Sequence, residues 1–190
     1  MTYSTSDIRN VCLLGPSGSG KTQLTEALLH AGGAIEAPGS VEQKNTVSDS
    51  DPREQEHGHS LFNSVCHLSH EGVHVNLIDT PGYRDFVGRA LSIMSAVETA
   101  AVVIDAQTGI EEMTIQVMEA AREQGLCRMI IVNKIDVGGP ALATILERIQ
   151  AAFGSECLPI NLPAADGSSV VDCFFQPGNS ETAIGDVETA

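Results

Sequence analysis

The chain has 190 residues, 42% of them hydrophobic, so it is long enough for one compact domain and too short for two ordinary ones. Ten basic residues against 25 acidic ones give a formal charge of -15, which repels phosphates, so direct contact with nucleic acid is not expected. Five widely spaced cysteines favour reduced thiols, and the longest apolar run, residues 100–104, is too short to span a bilayer. We therefore expect a soluble, cytoplasmic chain with no membrane partner.

Apolar strands alternate with amphipathic helices along most of the chain. A strand at residues 11–14 precedes a glycine-rich turn and a helix that runs to residue 31, where Gly32 and Gly33 end it. Two runs that flank the turn HEG predict a hairpin. The remaining predicted elements are strands at 100–106, 128–133 and 157–162, and helices at about 111–124 and 140–153.

This alternation indicates an α/β fold. Strands that are apolar throughout are buried on both faces, which predicts a mostly parallel sheet with helices on each side and one antiparallel edge strand from the hairpin. Right-handed crossovers place the loops that follow the strands at one edge of such a sheet, where ligands bind.

Residues 34–60 form a long segment that is poor in large apolar side chains, and we call it the switch segment. Because it cannot bury much surface, it is predicted to be mobile, and long loops in compact domains are usually functional. Its acidic run DSDPREQE, residues 49–56, is interpreted as a solvated part of this loop, with contact to a partner as the alternative.

The sequence GPSGSGKT matches the pattern G-x-x-x-x-G-K-[ST] and follows the first strand. Glycines let backbone N–H groups surround phosphate oxygens, the lysine supplies charge to the β- and γ-phosphates, and the threonine hydroxyl can bind Mg²⁺. The alternative is an ordinary glycine turn with a solvated lysine. The predicted phosphate-binding residues are Gly15, Pro16, Ser17, Gly18, Ser19, Gly20, Lys21 and Thr22.

A second motif, DTPG, ends the second strand of the hairpin and comprises Asp79, Thr80, Pro81 and Gly82. Asp79 can hold Mg²⁺ through a water, and the Gly82 N–H can bond a γ-phosphate if the backbone approaches closely. Alone, DTPG could be a plain turn. Its position in the chain, after GPSGSGKT and before the motif NKID at residues 133–136, favours a nucleotide site.

A third motif, NKID, follows the strand RMIIV and contributes Asn133, Lys134 and Asp136. The Asp136 carboxylate can accept hydrogen bonds from N1–H and the exocyclic amine of guanine, and adenine offers neither donor there. A buried acceptor left unpaired discriminates strongly, so this motif predicts guanine over adenine.

Together these residues resemble the GTP-binding domain of translational GTPases, in particular elongation factor G and elongation-factor-G-like paralogues, from residue 10 to about 175. The resemblance implies a P-loop NTPase with the small-GTPase three-layer fold, GTP or GDP with Mg²⁺, and hydrolysis assisted by Lys21 and Gly82. It implies the ribosome as partner of the full-length parent. It also assigns Ser60 the Mg²⁺ contact made by the last residue of the family's R-G-I-T, although the arginine is lost here.

Tyr83 is the main departure from this family. Elongation factor G has histidine there, which aligns the attacking water, whereas a phenol is a weak base, so slow intrinsic hydrolysis is predicted. Tyr83 could also be a packing residue. The alternative function is a GTP-binding switch module with little catalysis. A small-molecule P-loop kinase is a third hypothesis, which leaves NKID unexplained.

The family's last nucleotide loop, which contacts guanine O6, has no match after Asp136. We therefore expect residues 1–162 to be a GTP-binding domain without that loop, and residues 163–190 to begin an inserted subdomain and a loose tail. Phe174 and Phe175 should then lack packing partners. Three histidines in HLSHEGVH could suggest zinc, but strand alternation is expected to separate them.

Overall fold

The computed structural model describes residues 3–48, 51–136, 141–166, 169–175 and 181–186. In chain order its strands and helices are β1 Ile8–Leu14, α1 Lys21–Ala31, α2 Pro52–His57, β2 Ser64–His70, β3 Val73–Asp79, α3 Val87–Ile93, β4 Thr99–Asp105, α4 Glu112–Glu123, β5 Cys127–Asn133, α5 Leu142–Phe153, β6 Asn161–Pro163, β7 Val170–Asp172, β8 Glu181–Thr182 and β9 Gly185–Asp186. Short 3-10 turns lie at Thr5–Asp7, Arg84–Phe86 and Met94–Ala96.

The chain divides into two compact units, Met1–Lys134 and Ile135–Ala190. The first contains a five-stranded sheet in the order β2-β3-β1-β4-β5. The second contains α5 and the short antiparallel pairs β6–β7 and β8–β9. The start of an inserted subdomain near residue 163 stays a prediction.

The five-stranded sheet confirms the predicted mostly parallel arrangement with one antiparallel edge strand. Strand β1 pairs in parallel with β3 and β4, β4 pairs in parallel with β5, and only β2 runs antiparallel, in register with β3. The chain moves from β1 to β3 in one direction across the sheet and from β3 to β4 in the other. Right-handed crossovers therefore place α1 on one face and both α3 and α4 on the opposite face.

The core of the first unit forms where these strands are apolar on both faces. Leu13, Leu77 and Val103 pack in one buried cluster, with Leu24 of α1 against it. The loops that follow β1, β3 and β5 all leave from the carboxyl edge of this core. The three sequence motifs lie on those loops, so the fold brings the P-loop and DTPG together.

Some elements differ from their predictions. Residues 157–162 were predicted to be a strand, but the strand found is the shorter Asn161–Pro163, and Pro159, which has no N–H to donate, lies before it. Helix α3 was not predicted: Gly88 weakens its local signal, and the helix buries Ala90. Helix α5 begins at Leu142, while the predicted start at residue 140 lies outside the described residues.

The exposed end of the second unit agrees with its prediction where it is described. Phe174 and Phe175 are 68% and 75% exposed. Their rings contact each other edge to face, with centroids 5.1 Å apart. Much of the tail that was predicted to be loose, residues 176–180 and 187–190, lies outside the described residues.

The histidines of the hairpin follow alternation only in part. The His67 and His74 rings lie 5.4 Å apart on one face of β2 and β3, so the expectation that alternation separates them is wrong for this pair. They share a face because they lie on adjacent antiparallel strands in a diagonal register. Among the described residues, no three His, Cys, Asp or Glu side chains are grouped to hold a metal ion. None of the described helices has the length and apolar character needed to cross a membrane.

Candidate functional site: a nucleotide-binding loop and its neighbours

Three glycines shape the loop between β1 and α1. Gly15, Gly18 and Gly20 have φ values of 132°, 80° and 91°, a region that other residues rarely adopt. A Cβ on Gly15 would collide with the carbonyl group of Val103, and one on Gly20 would collide with the side-chain amide of Asn133. The loop therefore needs glycine both for its backbone conformation and for the close approach of β4 and β5.

Lys21 begins α1, and its side chain folds back into the loop. It is only 6% exposed, and its Nζ donates hydrogen bonds to the carbonyl oxygens of Gly15 at 2.9 Å and Pro16 at 2.8 Å. Burial lowers the pKa of Lys21 to about 8, although the carboxylates of Asp79 and Glu111 act in the opposite direction. A cation that is expensive to bury favours an anion beside it, which is what a phosphate would supply.

Oxygen atoms from three elements meet at the start of α1. The Thr22 hydroxyl donates to Asp79 Oδ2 at 2.7 Å and lies 3.4 Å from the Ser60 hydroxyl oxygen. Hydroxyl and carboxylate oxygens are the hard ligands that Mg²⁺ prefers, and Mg²⁺ usually combines one or two carboxylates with waters and substrate phosphates. This set of donors therefore fits Mg²⁺ beside a nucleotide.

The DTPG turn approaches the P-loop most closely at Gly82. A Cβ on Gly82 would lie 2.5 Å from Lys21 Nζ and 2.6 Å from the backbone nitrogen of Ser17, so no other residue fits without displacing the loop. Glycine was expected at this position because only a close approach of the backbone would let the Gly82 N–H reach a γ-phosphate. The Gly82 backbone is thus next to both the lysine and the backbone of the P-loop.

The neighbours of Gly82 fix the turn to the sheet. Thr80 is 1% exposed and its hydroxyl donates to the carbonyl oxygen of Leu13 at 2.7 Å, while Pro81 is buried. Within the described part of the chain, the buried Ser19 hydroxyl has no hydrogen-bond partner. Buried polar atoms are nearly always satisfied, so Ser19 is a further point at which a ligand can bind.

Two residues of NKID brace the P-loop from the end of β5. The Asn133 side chain donates to the carbonyl oxygen of Ser19 at 2.9 Å, and Lys134 Nζ donates to that of Gly18 at 2.7 Å. Lys134 also forms an ion pair with Asp105 at 2.9 Å. Burial would raise the pKa of Asp105, but hydrogen bonds, the first of them from Lys134, outweigh it and lower the pKa.

Two carboxylates are associated with this motif: Asp136 was predicted from the sequence, and Asp105 was not. Asp136 lies in the second unit, and its role as the reader of guanine stays a prediction. Asp105, which ends β4 and pairs with Lys134, was not predicted from the sequence. Its signal was a carboxylate directly after an apolar strand, at the edge where α/β proteins bind ligands.

Tyr83 contacts His59, a residue to which the sequence analysis gave no role. It is 44% exposed, and its ring packs against the imidazole of His59, with centroids 4.3 Å apart and planes tilted by 50°. His59 directly precedes Ser60, and Tyr83 directly follows Gly82. This ring pair therefore joins the end of the switch segment to the DTPG turn.

The first half of the switch segment is attached to a buried carboxylate on α1. Glu26 is 0% exposed and accepts hydrogen bonds from the backbone N–H groups of Gly39 at 2.9 Å and Val47 at 2.6 Å. Its charge is stabilised by those two donors. Sequence reasoning missed this residue, because a glutamate on a helix gives no local sign that it is buried.

The second half contains a helix and another buried carboxylate. Helix α2 begins after Asp51, whose side chain accepts from the Arg53 N–H at 2.8 Å. Glu54 of α2 is 3% exposed and accepts from the N–H groups of Leu61 and Phe62 at 2.8 and 3.0 Å. The interpretation of DSDPREQE as a solvated part of the loop is therefore wrong for Glu54, whose buried carboxylate accepts from these two amides.

The sheet and the P-loop together place the first unit in the class of P-loop nucleotide-binding domains with a small-GTPase-like fold. Residues 6–183 match the elongation factor Tu GTP binding domain family. This chain therefore belongs to that family, and it is a GTP-binding domain of the translation elongation factor type.

Named relatives and solved structures agree with this assignment. The chain is 41% identical over 160 residues to the elongation factor G-like protein of Mycobacterium tuberculosis, in strains CDC 1551 / Oshkosh and ATCC 25618 / H37Rv, covering 84% of this chain and 22% of each relative. A crystal structure of a Thermus thermophilus protein matches with a TM-score of 0.83 and 38% identity, over 89% of this chain and 26% of that one. The chain thus spans about a quarter of the length of these proteins.

A more distant likeness supports the fold alone. The bacterial selenocysteine-specific elongation factor EF-Sec matches with a TM-score of 0.62 and 21% identity, over 80% of this chain and 24% of that structure. At this identity the comparison shows only that the α/β architecture is shared.

Proposed function

We propose that this chain binds GTP with Mg²⁺ and hydrolyses it to GDP and phosphate, as the GTP-binding domain of an elongation-factor-G-like translation factor that acts on the ribosome. The observation that carries the proposal is the meeting of the Thr22, Ser60 and Asp79 oxygens beside the buried Lys21. In this proposal the three oxygens hold Mg²⁺ beside the β- and γ-phosphates, and Lys21 supplies positive charge to them. The relatives named elongation factor G-like support a role in translation.

The P-loop supplies the binding site for the phosphates. Its carbonyl oxygens accept from Lys21, Asn133 and Lys134, which fixes the loop, and backbone N–H groups before a helix can bind an anion. The glycine cap of α1 has no side-chain hydrogen bond, so the first N–H groups of that helix can also serve the phosphates. Asp136, in the second unit, has the proposed role of pairing with guanine.

Mg²⁺, when bound, neutralises charge on the β- and γ-phosphates. Thr22 and Ser60 would hold it directly, and Asp79 through a water. Lys21 and the Gly82 N–H act on the γ-phosphate from the protein side. The closeness of the Gly82 backbone to Lys21 supports a shared role at one phosphate.

The reaction is an in-line displacement by water. A new bond forms between the water oxygen and the γ-phosphorus while the bond to the bridging oxygen breaks, and that oxygen leaves with its electron pair on GDP. The proton from water goes to the released phosphate. Phosphoryl transfer depends mainly on positioning and charge neutralisation, so it proceeds without a strong base, although slowly with Tyr83 in the place of histidine.

Phosphate release with and without ribosomes tests the proposal. We expect saturable GTP binding, slow release by the chain alone, and stimulated multiple turnover when ribosomes are added to the full-length protein. The Tyr83→His variant should release phosphate at least about tenfold faster, because a positioned histidine typically contributes far more than a phenol. An unchanged rate at unchanged GTP affinity would contradict the role given to Tyr83.

A GTP-binding switch module without useful catalysis is the second candidate, and the identity of Tyr83 favours it. In this case GTP binding orders the switch segment through Ser60, and loss of GTP releases it. Tight GTP binding with no phosphate release, even with ribosomes, would establish this function in place of the first.

A further inference from the structure

We propose that His59 is a positioning residue for GTP hydrolysis: its imidazole holds the Tyr83 ring so that the phenol hydroxyl reaches the attacking water. This inference rests on the proposed function and extends it to a residue with no role so far. The observation behind it is the ring contact between His59 and Tyr83, with centroids 4.3 Å apart.

The backbone places this ring pair at the end of the site where the γ-phosphate is expected. On one side, Tyr83 follows Gly82, whose backbone lies against Ser17 and Lys21 of the P-loop. On the other side, His59 precedes Ser60, whose hydroxyl lies 3.4 Å from that of Thr22. Each ring is therefore one residue away from a group assigned to the γ-phosphate or its metal ion.

The Tyr83 side chain is partly exposed to solvent, so a contact that fixes its ring favours one position of the phenol. It is 44% exposed, and Tyr83 itself adopts an extended backbone conformation, with φ of −83° and ψ of 142°, just before a short 3-10 turn. Of the aromatic contacts in the described residues, the one that involves Tyr83 is with His59. A displacement of about 1 Å at a reacting group can cost about 100-fold in rate, so holding the phenol matters for catalysis.

The phenol hydroxyl can both donate and accept a hydrogen bond, which is sufficient to orient water. The imidazole acts through packing, and no change in its protonation is required. Packing of this kind predicts that another flat ring at position 59 should serve, while a small side chain should not. It also predicts that the two residues act as one unit.

GTP hydrolysis by the chain tests whether His59 and Tyr83 act as one unit. The turnover rate and the Michaelis constant for GTP are measured separately. His59→Ala and Tyr83→Phe should each lower kcat by about 5- to 20-fold, with less than about a twofold change in the Michaelis constant, because a positioning contact acts on the transition state. The double variant should be no slower than the slower single variant, since groups that act together are not additive.

Two further variants separate positioning from a general effect on the loop. His59→Phe keeps a flat ring and should retain kcat to within about threefold. His70→Ala removes an exposed histidine at the hairpin end of β2 and should leave kcat unchanged. A loss of GTP affinity in His59→Ala as large as its loss of kcat would instead assign His59 a structural role and overturn the proposal.

The ring contact can also be measured without catalysis. The chain has no tryptophan and only two tyrosines, so in a Tyr3→Phe background Tyr83 is the only strong intrinsic fluorophore. Adding His59→Ala to this background should raise acrylamide quenching and lower the fluorescence anisotropy of Tyr83, and His59→Phe should restore both. Identical quenching and anisotropy with and without the His59 ring would overturn the inference.

The outcomes distinguish this inference from the proposed function. If the parent binds GTP and releases phosphate while His59→Ala has the parent's kcat, or while the two single effects multiply in the double variant, only the positioning role fails. If the parent binds GTP but releases no phosphate under any condition, hydrolysis fails and His59 has no catalytic role to play.

Discussion

The P-loop and the switch segment are held in opposite ways. In the P-loop, carbonyl oxygens accept hydrogen bonds from Lys21, Asn133 and Lys134, and its N–H groups are the ones proposed to bind the phosphates. In and just after the switch segment, N–H groups donate to the buried carboxylates Glu26 and Glu54. One loop is thus prepared to bind an anion, while the other already has anions of the protein's own.

This contrast explains how one site can be both rigid and responsive. The P-loop is fixed to three neighbouring elements and has glycines that no other residue could replace without strain. The switch segment depends on a few hydrogen bonds to two side chains, and segments with few contacts open most easily. A nucleotide that binds the first loop and touches the second through Ser60 can therefore bias the second without disturbing the first.

The largest expected effect follows from breaking the P-loop side of the comparison. Lys21→Ala should weaken GTP binding on the order of 100-fold or more, because it removes charge-assisted hydrogen bonds to the phosphates from a buried site. Equilibrium titration with a fluorescent GTP analogue measures this. Lys44→Ala, which removes an exposed lysine of the switch segment, is the matched control and should bind GTP like the parent.

The release of the switch segment is the next largest effect. Glu54→Ala leaves the Leu61 and Phe62 N–H groups without their carboxylate, so hydrogen exchange at these two amides should accelerate about 10- to 100-fold, as expected for lost bonds to a charged group. Amides of α1 should keep their protection. Uniform acceleration across the first unit would mean that Glu54 supports the whole domain and would contradict the comparison.

The parts of this site that could be predicted from sequence are those in which a short stretch determines its own conformation. GPSGSGKT predicts a glycine-rich loop between a strand and a helix, and the structure has this loop. The glycine of DTPG, Gly82, lies close to Lys21 as expected. The parallel sheet followed from apolar strands that alternate with helices. These features depend on local residue types and on rules that hold for every α/β fold.

The missed parts depend on contacts between distant residues. A glutamate on a helix or in an acidic run is normally exposed, so only the fold reveals that Glu26 and Glu54 are buried and bond backbone amides. The same holds for the contact between His59 and Tyr83, which joins two separate loops. Sequence periodicity does not predict contacts between residues that are far apart in the chain. These contacts involve the switch segment rather than the P-loop.

The buried lysine also predicts a pH dependence of binding. Burial lowers the pKa of Lys21 to about 8 in the nucleotide-free protein, and a bound triphosphate raises it by favouring the charged form. Binding therefore takes up a proton above pH 8, and GTP affinity should be greatest below about pH 8 and fall as pH rises, by up to about tenfold per unit. Lys21→Arg stays charged and should bind with a flatter profile between about pH 7 and 9.5; equal slopes would contradict this.

The smallest expected effect concerns the guanidinium groups that pack on Phe62, just beyond the switch segment. Arg89 lies 4.4 Å from the Phe62 ring and donates to the Leu61 carbonyl oxygen at 2.6 Å, whereas Arg53 lies 5.2 Å from the same ring and its side chain is 65% exposed. Arg89→Gln should lower the free energy of unfolding by about 0.5–1 kcal/mol, as expected for an exposed cation–π contact. Arg53→Gln should cost less in the same urea titration, because its contact is longer and more solvated. Equal losses would mean that distance to the ring does not decide how firmly this end of the switch segment is held.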